Sequence, residues 1–194
     1  MTTATRTSLT SPTPRRSPAG STLWLTGLPS AGKTTLAFAL ADQLRAQGHD
    51  VEILDGDEIR TYLSAGLGFS RGDRDTHVKR IGFVAELLAR HGVLVLVPVI
   101  APYAETRAEV RALHDEHGTG YLEVHLSTPL DVCSDRDVKG LYAKAARGEL
   151  QHMTGVDDPY EVPSDPDLRI DTSTTDLPSS VARLLDLLAG RNVL

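Results

Sequence analysis

A glycine-rich loop is the most informative stretch of the sequence. Residues 27–34 read Gly-Leu-Pro-Ser-Ala-Gly-Lys-Thr, which fits the pattern G-x-x-x-x-G-K-[ST]. Glycines let backbone N–H groups turn toward phosphate oxygens, and the N-terminus of a following helix adds partial positive charge. Lys33 is placed to reach the terminal phosphates, and the Thr34 hydroxyl suits Mg²⁺. The spacing therefore predicts a nucleoside triphosphate site.

Two carboxylates follow the second apolar segment. Residues 54–57, Leu-Asp-Gly-Asp, bring Asp55 and Asp57 to the carboxyl edge of a parallel sheet, where ligands of open α/β folds bind. One carboxylate would organise Mg²⁺ through water and the other would accept a hydroxyl proton, and the two roles are interchangeable at this stage. A simpler alternative is an Asp-Gly turn that caps a helix starting near Glu58. No acidic residue ends the segment Val93 to Val99, so this pair must supply the acidic function.

Basic residues downstream of this pair indicate an anionic acceptor. They are Arg60, Arg71, Arg74, Lys79 and Arg80. Arg binds phosphate or sulfate oxygens in a bidentate manner, which favours such an acceptor over a neutral sugar. Arg71 and Lys79 are interpreted as solvated helix charges outside the site. No N-K-x-D guanine signature follows a later strand, which argues against a GTP-dependent switch.

The elements that must position these groups alternate along the chain. Strand-length apolar segments alternate with segments of helical period, which predicts an α/β P-loop NTPase fold with a mainly parallel five-stranded sheet and helices on both faces. The predicted strands are Thr22–Thr26, Val51–Leu54, Val93–Val99, Tyr121–Leu126 and Leu168–Ile170. The predicted long helices are Lys33–Gln47, Asp73–His91, Glu105–His117 and Pro178–Ala189, which stop near Gly48, Gly92, Gly118 and Gly190.

Composition fits one ordinary domain. The 194 residues are 40% hydrophobic and 24% charged with a net charge of −6, which argues against a coat for nucleic acid or an anionic membrane. No run approaches the ~18 apolar residues of a membrane span. Residues 1–20 are rich in Ser, Thr and Pro, and we expect a disordered tail rather than a targeting segment. Residues 21–194 are predicted to form the domain, and the single Cys133 suits a cytoplasmic protein.

A polar stretch departs from the regular alternation. Residues 137–164 contain Lys139, Lys144 and Arg147 and end in turn-forming sequence. A mobile lid over about 137–155 is predicted, because a closed lid would keep water from the γ-phosphate. A solvated helix and loop fits the same pattern equally well.

Two further features carry weaker signals. His114 and His117 form a helical i, i+3 pair beside Glu116, but no third ligand converges on them, so no transition-metal site is expected. Cys133 lies at an apolar-spaced helix start and is interpreted as buried packing rather than as a nucleophile.

Taken together, these residues resemble the adenylylsulfate kinase family over nearly all of Leu23 to Thr172. The family uses ATP to phosphorylate the 3′-hydroxyl of adenosine 5′-phosphosulfate (APS). The matching segments are Trp24-Leu25-Thr26-Gly27-Leu28 with the glycine loop, Leu54-Asp55-Gly56-Asp57 with Arg60, Leu67-Gly68-Phe69-Ser70, Asp73-Arg74, Arg80-Ile81-Gly82, Pro102-Tyr103, Arg136-Asp137-Val138-Lys139-Gly140-Leu141-Tyr142, Thr154-Gly155-Val156 and Pro159-Tyr160-Glu161.

The resemblance implies roles for particular residues in and near these segments. Asp57 is the implied base, and Asp55 aids a Mg²⁺ ion held by Thr34, although the two carboxylates can be exchanged. Phe69 would stack on the acceptor adenine, against the alternative of a core aromatic. The implied ATP-binding residues are Gly27, Leu28, Pro29, Ser30, Ala31, Gly32, Lys33, Thr34, Thr35 and Arg136. The implied acceptor-binding residues are Asp57, Arg60, Phe69, Arg74, His77, Ile100, Ala101, Lys139 and Met153, and a homodimer is implied by analogy.

Three positions depart from the family pattern. Ala101 replaces a serine that becomes phosphorylated in the family, so direct in-line transfer must suffice. His77 replaces a common Asn and would titrate near about pH 6.5 if unperturbed. Met153 replaces a Phe that completes the adenine sandwich. The alternatives are a sister P-loop kinase with another acceptor and a non-catalytic ATP-binding protein.

Overall fold

A five-stranded parallel sheet forms the frame of residues 20–194, the part of the chain that the computed structural model describes. The strands are β1 (Ser21–Gly27), β2 (Val51–Ile53), β3 (Leu94–Pro98), β4 (Gly120–Leu126) and β5 (Leu168–Ile170). Their order in the sheet is β2-β3-β1-β4-β5, and each neighbouring pair is parallel. The predicted α/β fold is confirmed, with each predicted strand within one residue of the observed bounds. The predicted N-terminal tail falls, up to residue 19, outside the described residues.

Helices cover both faces of the sheet. They are α1 (Lys33–Ala46), α2 (Gly56–Leu63), α3 (Arg71–Ala89), α4 (Ala104–His117), α5 (Leu130–Arg136), α6 (Leu141–Ala146) and α7 (Leu177–Gly190). The four predicted long helices are confirmed, whereas α6 lies in the stretch whose sequence shows no clear period. Gly190 is the last residue of α7, and the left-handed backbone falls at Asn192 instead (φ 55°). Among the described residues, no helix combines the length and apolar character needed to cross a membrane.

The core consists of two apolar layers, one on each face of the sheet. The alternating side chains of β1 show the division, because Leu23 and Leu25 pack with α1 while Trp24 packs on the opposite face with Ile81 of α3. All seven residues of β1 are buried. Burial on both faces explains why its three central residues, Leu23, Trp24 and Leu25, are all apolar rather than alternating with polar residues. The core therefore fixes β1 firmly, and with it the loop that follows β1.

A neutral histidine lies under the carboxyl half of the sheet. His125 of β4 is buried, and its ring stacks on Tyr160 with centroids 5.8 Å apart. Burial and, to a smaller extent, the positive charges of Arg169 and Arg107 together lower the pKa of His125 to about 4. The unfolded chain therefore binds a proton at this residue at a pH where the folded chain does not.

The free energy of unfolding should fall as the pH falls from about 6.5 toward 4, because protons bind the unfolded state preferentially in this range. Between pH 7 and pH 5, the free energy of unfolding of a His125→Leu variant should fall by about 1 kcal/mol less than that of the parent, after allowance for solvent screening. Urea unfolding at the two pH values measures this difference. The same substitution at the exposed His91 provides the matched control, and the pH dependence should change more in His125→Leu than in His91→Leu. Equal pH dependence in parent and His125→Leu would contradict the assignment.

Candidate active site

A cavity opens at the carboxyl ends of β1, β2 and β3. It collects side chains from the glycine loop, the two carboxylates, the start of α3, the segment after β3 and the residues before α6. The predicted residues that line it are Pro29, Ser30, Gly32, Lys33, Thr34, Thr35, Asp55, Asp57, Arg60, Phe69, Arg74, His77, Ile100, Ala101 and Lys139. The structure thus brings residues far apart in sequence to one place, as the parallel topology predicts.

The glycine loop between β1 and α1 curves through backbone conformations that favour glycine. Gly32, the residue before α1, has φ 95°, and Gly27 lies so close to β4 that a Cβ would come within 2.7 Å of the Leu126 carbonyl oxygen. Lys33 folds back over the loop, and its Nζ donates to the carbonyl oxygens of Gly27 (2.9 Å) and Leu28 (2.7 Å). Burial lowers the pKa of Lys33 to about 8, so the side chain is still mostly charged at neutral pH.

The two carboxylates differ in their contacts. Asp55 accepts from the Thr34 hydroxyl through Oδ2 (2.9 Å) and from the Asp57 backbone N–H through Oδ1 (3.0 Å). It therefore caps α2, which confirms the capping alternative, and contacts the loop threonine at the same time. Asp57 is exposed in the cavity, and its Oδ2 forms an ion pair with Nζ of Lys139. A hydroxyl and a carboxylate placed together are the hard oxygen donors that Mg²⁺ takes.

An aromatic ring and two guanidinium groups form the opposite wall. The Cζ atoms of Arg60 and Arg74 lie 4.8 and 5.5 Å from the ring centroid of Phe69. Arg60 donates to Gly68 O (2.9 Å), and Arg74 donates to the carbonyl oxygen of Phe69 (2.9 Å). Phe69 is 49% exposed, so the alternative of a core aromatic is wrong. An exposed ring flanked by fixed cations suits a ligand with a flat base and an anionic group.

The backbone at Ala101 also lines the cavity, and a buried arginine, Arg107, fixes its position. Ala101 has φ 43°, which is uncommon for a residue with a side chain, and its carbonyl oxygen accepts from Arg107 (2.7 Å). Arg107 is 4% exposed, donates also to Glu161 O (2.7 Å) and forms an ion pair with Glu123 (2.8 Å). Sequence analysis missed Arg107, because its partners come from three separate segments and no local pattern marks it.

His77 does not behave as the sequence led us to expect. Its ring nitrogens are both engaged, Nδ1 with Ser64 Oγ (2.9 Å) and Nε2 with Gly56 O (3.0 Å), although the ring borders the cavity. Burial and, to a smaller extent, the positive charge of Arg60 together lower the pKa of His77 to about 4. The condition for titration near pH 6.5, an unperturbed ring, is therefore not met, and both ring nitrogens already have partners within the protein.

Five predicted contacts do not line the cavity, namely Gly27, Leu28 and Ala31 of the glycine loop together with Met153 and Arg136. Met153 is 3% exposed and packs in the core layer that contains α1, so the structure does not bring it to the cavity wall. Arg136 donates to Oγ1 (2.7 Å) and to the carbonyl oxygen (2.8 Å) of Thr172. Thr172 in turn donates to Ala31 O (3.1 Å), so Arg136 reaches the glycine loop only through an intermediate residue.

The stretch predicted as a lid begins with a tightly bonded turn. Asp137 accepts from the backbone N–H groups of Tyr142 (3.0 Å) and Ala143 (2.9 Å) at the start of α6. The Tyr142 hydroxyl donates to Pro29 O in the glycine loop (3.1 Å). The turn between these anchors directs Lys139 to Asp57. This part of the stretch is therefore more ordered locally than a solvated loop.

Other predicted features lie outside the cavity. Lys79 pairs with Glu109 (2.6 Å) and Arg71 with Glu105 (3.9 Å), on the face of α3 that contacts α4. His114 is buried between Val110 O and Thr22 Oγ1, at 2.8 Å from each. The structure buries Cys133 fully, and burial raises the pKa of its thiol, as expected for a packing residue.

Phosphoryl transfer needs a phosphate cradle, a carboxylate and an anion-binding wall around one cavity. A P-loop kinase is the class of protein in which one parallel sheet supplies all three, and the fold and cavity described above define this class. The particular family follows from comparison with known sequences. A family model described as adenylylsulphate kinase matches residues 19–171, and the chain belongs to this family.

Similar proteins span nearly the whole chain. An adenylyl-sulfate kinase of Myxococcus xanthus is 53% identical over 176 residues, which cover 91% of this chain and 95% of that protein. One of Chloroflexus aurantiacus is 57% identical over 166 residues, with coverage of 86% and 87%. The solved structure of the Mycobacterium tuberculosis APS kinase in complex with AMPPNP and APS is 45% identical with a TM-score of 0.86, and covers 89% of this chain and 99% of that one.

Arg107 should be essential for stability, because its removal leaves the carboxylate of Glu123 buried without its closest partner. An Arg107→Met variant should lose about 3–5 kcal/mol of unfolding free energy in urea titration. Replacing both charges, as Arg107→Met with Glu123→Leu, should recover a substantial part of that loss. The half-exposed Arg111, 3.8 Å from Glu123, is the control, and Arg111→Met should cost much less. Equal losses at the two arginines would contradict this account.

Proposed function

We propose that the protein transfers the γ-phosphoryl group of ATP to the 3′-hydroxyl of APS, giving 3′-phosphoadenosine 5′-phosphosulfate and ADP. The strongest support is that one cavity joins the glycine loop to the wall formed by Arg60, Phe69 and Arg74. Membership of the adenylylsulphate kinase family supports the same acceptor. The reaction would serve sulfate activation.

The two ligands would enter from opposite sides of the cavity. The backbone of the glycine loop would hold the ATP phosphates, and Lys33 would exchange its loop carbonyl partners for phosphate oxygens. On the other side the Phe69 ring is free to stack on the acceptor adenine. Arg60 and Arg74 would contact the phosphosulfate and hold the 3′-hydroxyl toward the γ-phosphorus.

Asp57 is the better candidate for the base. Its carboxylate is exposed in the cavity, whereas both oxygens of Asp55 are engaged by Thr34 and by the backbone of α2. Asp57 would accept the proton of the 3′-hydroxyl as that oxygen bonds to the γ-phosphorus. The bond from the γ-phosphorus to the bridging oxygen breaks, and ADP leaves with the electron pair. Lys33 would stabilise the charge that develops on the transferred group.

Thr34 and Asp55 fit a Mg²⁺ ion. The threonine hydroxyl lies 2.9 Å from Oδ2 of Asp55, so a hydroxyl and a carboxylate oxygen converge beside the glycine loop. Thr34 would bind the ion directly, and Asp55 would hold it through water. A bound Mg²⁺ neutralises charge on the phosphate oxygens during transfer. Asp55 also caps α2, which links this pair to the helix that carries the base.

The domain boundaries, the lid and the cellular setting complete the proposal. Residues 21–194 would form one kinase domain, with a lid over about 137–155 that closes over the phosphates and excludes water. Lys139 would leave Asp57 and contact ligand as the lid closes. The proposed enzyme is a homodimer by analogy with the family, and its single cysteine suits a cytoplasmic setting.

In the decisive experiment, the protein is incubated with ATP, Mg²⁺ and APS, and formation of the 3′-phosphorylated product is measured. Product should form, and removal of Mg²⁺ with a chelator should abolish it, because the charge on the phosphates is then not neutralised. ATP binding without product would overturn the proposed acceptor. Turnover with another phosphate- or sulfate-bearing alcohol would then indicate a sister kinase, and binding without any transfer would indicate a non-catalytic protein.

An Asp57→Asn substitution should lower kcat about 10²-fold or more while ATP binding persists, because the amide cannot accept the hydroxyl proton. Glu58→Gln is the matched control, since Glu58 is the exposed neighbour on the same helix turn and does not line the cavity. Steady-state kinetics with ATP and APS measure both variants. A kcat for Asp57→Asn within a few-fold of the parent would remove Asp57 from the role of base.

A further inference from the structure

The helix that carries Asp57 and Arg60 has little apolar packing to hold it. None of the eight residues of α2 is buried, and Ile59 is the apolar residue that packs partly against the core. A helix of this length is unstable alone, because nucleation costs more than so few hydrogen bonds return. Polar contacts to neighbouring elements must therefore determine where α2 lies, and a shift of α2 would move both cavity side chains.

One side chain bonds to both ends of α2. His77 reaches Gly56 O, at the first residue of the helix (3.0 Å), and Ser64 Oγ, at the residue that ends it (2.9 Å). Ser64 is fully buried and His77 is 4% exposed, so water is excluded from the contact with Ser64, whereas the contact with Gly56 is partly buried at the edge of the cavity. His77 lies on α3 beside Val78, which packs in the core with Ile81. The fixed helix α3 thus holds the weakly packed helix α2 at both of its ends.

The partners of the two ring nitrogens determine which nitrogen of His77 carries the proton. A carbonyl oxygen can only accept, so Nε2 must carry the proton that it donates to Gly56. In the neutral ring Nδ1 is then an acceptor, and the Ser64 hydroxyl donates to it. Both nitrogens are satisfied within the protein. A ligand in the cavity would meet the side of the ring and find no free donor or acceptor on it.

We infer that His77 is a positioning residue, which clamps both ends of α2 and thereby holds Asp57 and Arg60 at the cavity. The inference rests on the proposed function for its effect on phosphoryl transfer, but the clamp itself is independent of it. Catalysis is sensitive to small displacements, since misplacing a reacting group by about 1 Å can cost about 10²-fold in rate. Loss of the clamp should therefore lower kcat more than it weakens ATP binding.

Three variants test the clamp: Ser64→Ala, His77→Leu and the two combined. Ser64→Ala should lower kcat several-fold and His77→Leu about 10-fold or more, with the KM for ATP unchanged. The double variant should be no slower than His77→Leu alone, because the contact that Ser64→Ala removes is already lost in His77→Leu. His77→Gln should restore part of kcat, since its amide N–H can replace Nε2 as donor to Gly56. Normal kcat in Ser64→Ala with a raised KM for APS in His77→Leu would instead make His77 a direct acceptor contact and overturn the inference.

His114 provides a matched control. It is likewise buried and bonds through both ring nitrogens to a backbone carbonyl and a threonine hydroxyl, but on α4 and away from the cavity. His114→Leu should lower thermal stability about as much as His77→Leu and leave kcat within about twofold of the parent. If the two variants lose kcat equally, the effect of His77 is general destabilisation and the clamp is refuted.

Amide hydrogen exchange gives a readout that needs no activity. In His77→Leu and in the milder Ser64→Ala, amides of residues 56–64 should exchange several-fold faster than in the parent, while those of α1 do not change. His114→Leu should leave residues 56–64 unchanged. Unaltered exchange in this segment would overturn the clamp even if the protein is an active kinase. Faster exchange in the two variants, together with a parent protein that does not phosphorylate APS, would refute the proposed acceptor and retain the clamp.

Discussion

The burial of β1 is the constraint on which the cavity depends. β1 is the central strand, bonded to β3 along one side and to β4 along the other, and none of its residues is exposed. Two core layers press on its faces, so the strand cannot slide without turning apolar side chains toward the wrong layer. The glycine loop leaves β1 at Gly27, where the backbone passes too close to Leu126 for any Cβ. The position of Lys33 thus follows from the sheet.

The same frame explains how a chain with a net charge of −6 can handle two anionic ligands. Lys33, Arg60, Arg74 and Lys139 all border the one cavity. The acidic Glu105 and Glu109 lie on α4, where they pair with basic residues of α3 away from the cavity. Charge is therefore separated in space rather than balanced overall, and the field inside the cavity is set by its own cations.

The sequence was sufficient for the fold and for those groups whose role depends on local spacing. The glycine loop, Asp55, Asp57 and Arg60 each occupy a fixed place relative to the end of a strand, so a pattern of a few residues predicts them. The same holds for the glycines that end the helices. Gly190 is the exception, because α7 includes it as its last residue and Asn192 adopts the left-handed backbone conformation instead.

Contacts between distant segments could not be read in this way. Arg107 gains its role from Ala101, Glu123 and Glu161, and no spacing in the sequence relates these positions. Met153 looked suited to pack on the adenine ring of the acceptor because its side chain is apolar and flexible, but the same properties let it pack into the core. His77 was expected to bind the acceptor, and its bonds to Ser64 and Gly56 join segments that no local pattern relates to it.

The absence of buried residues from α2 has an evolutionary consequence. Most substitutions on this helix remove little apolar contact from the core, so they carry a small penalty in folding stability. The residues that face the acceptor can therefore diverge while the fold and the phosphate loop are preserved. A scaffold divided in this way can acquire a new acceptor through changes in one short helix, and selection can act on specificity almost independently of stability.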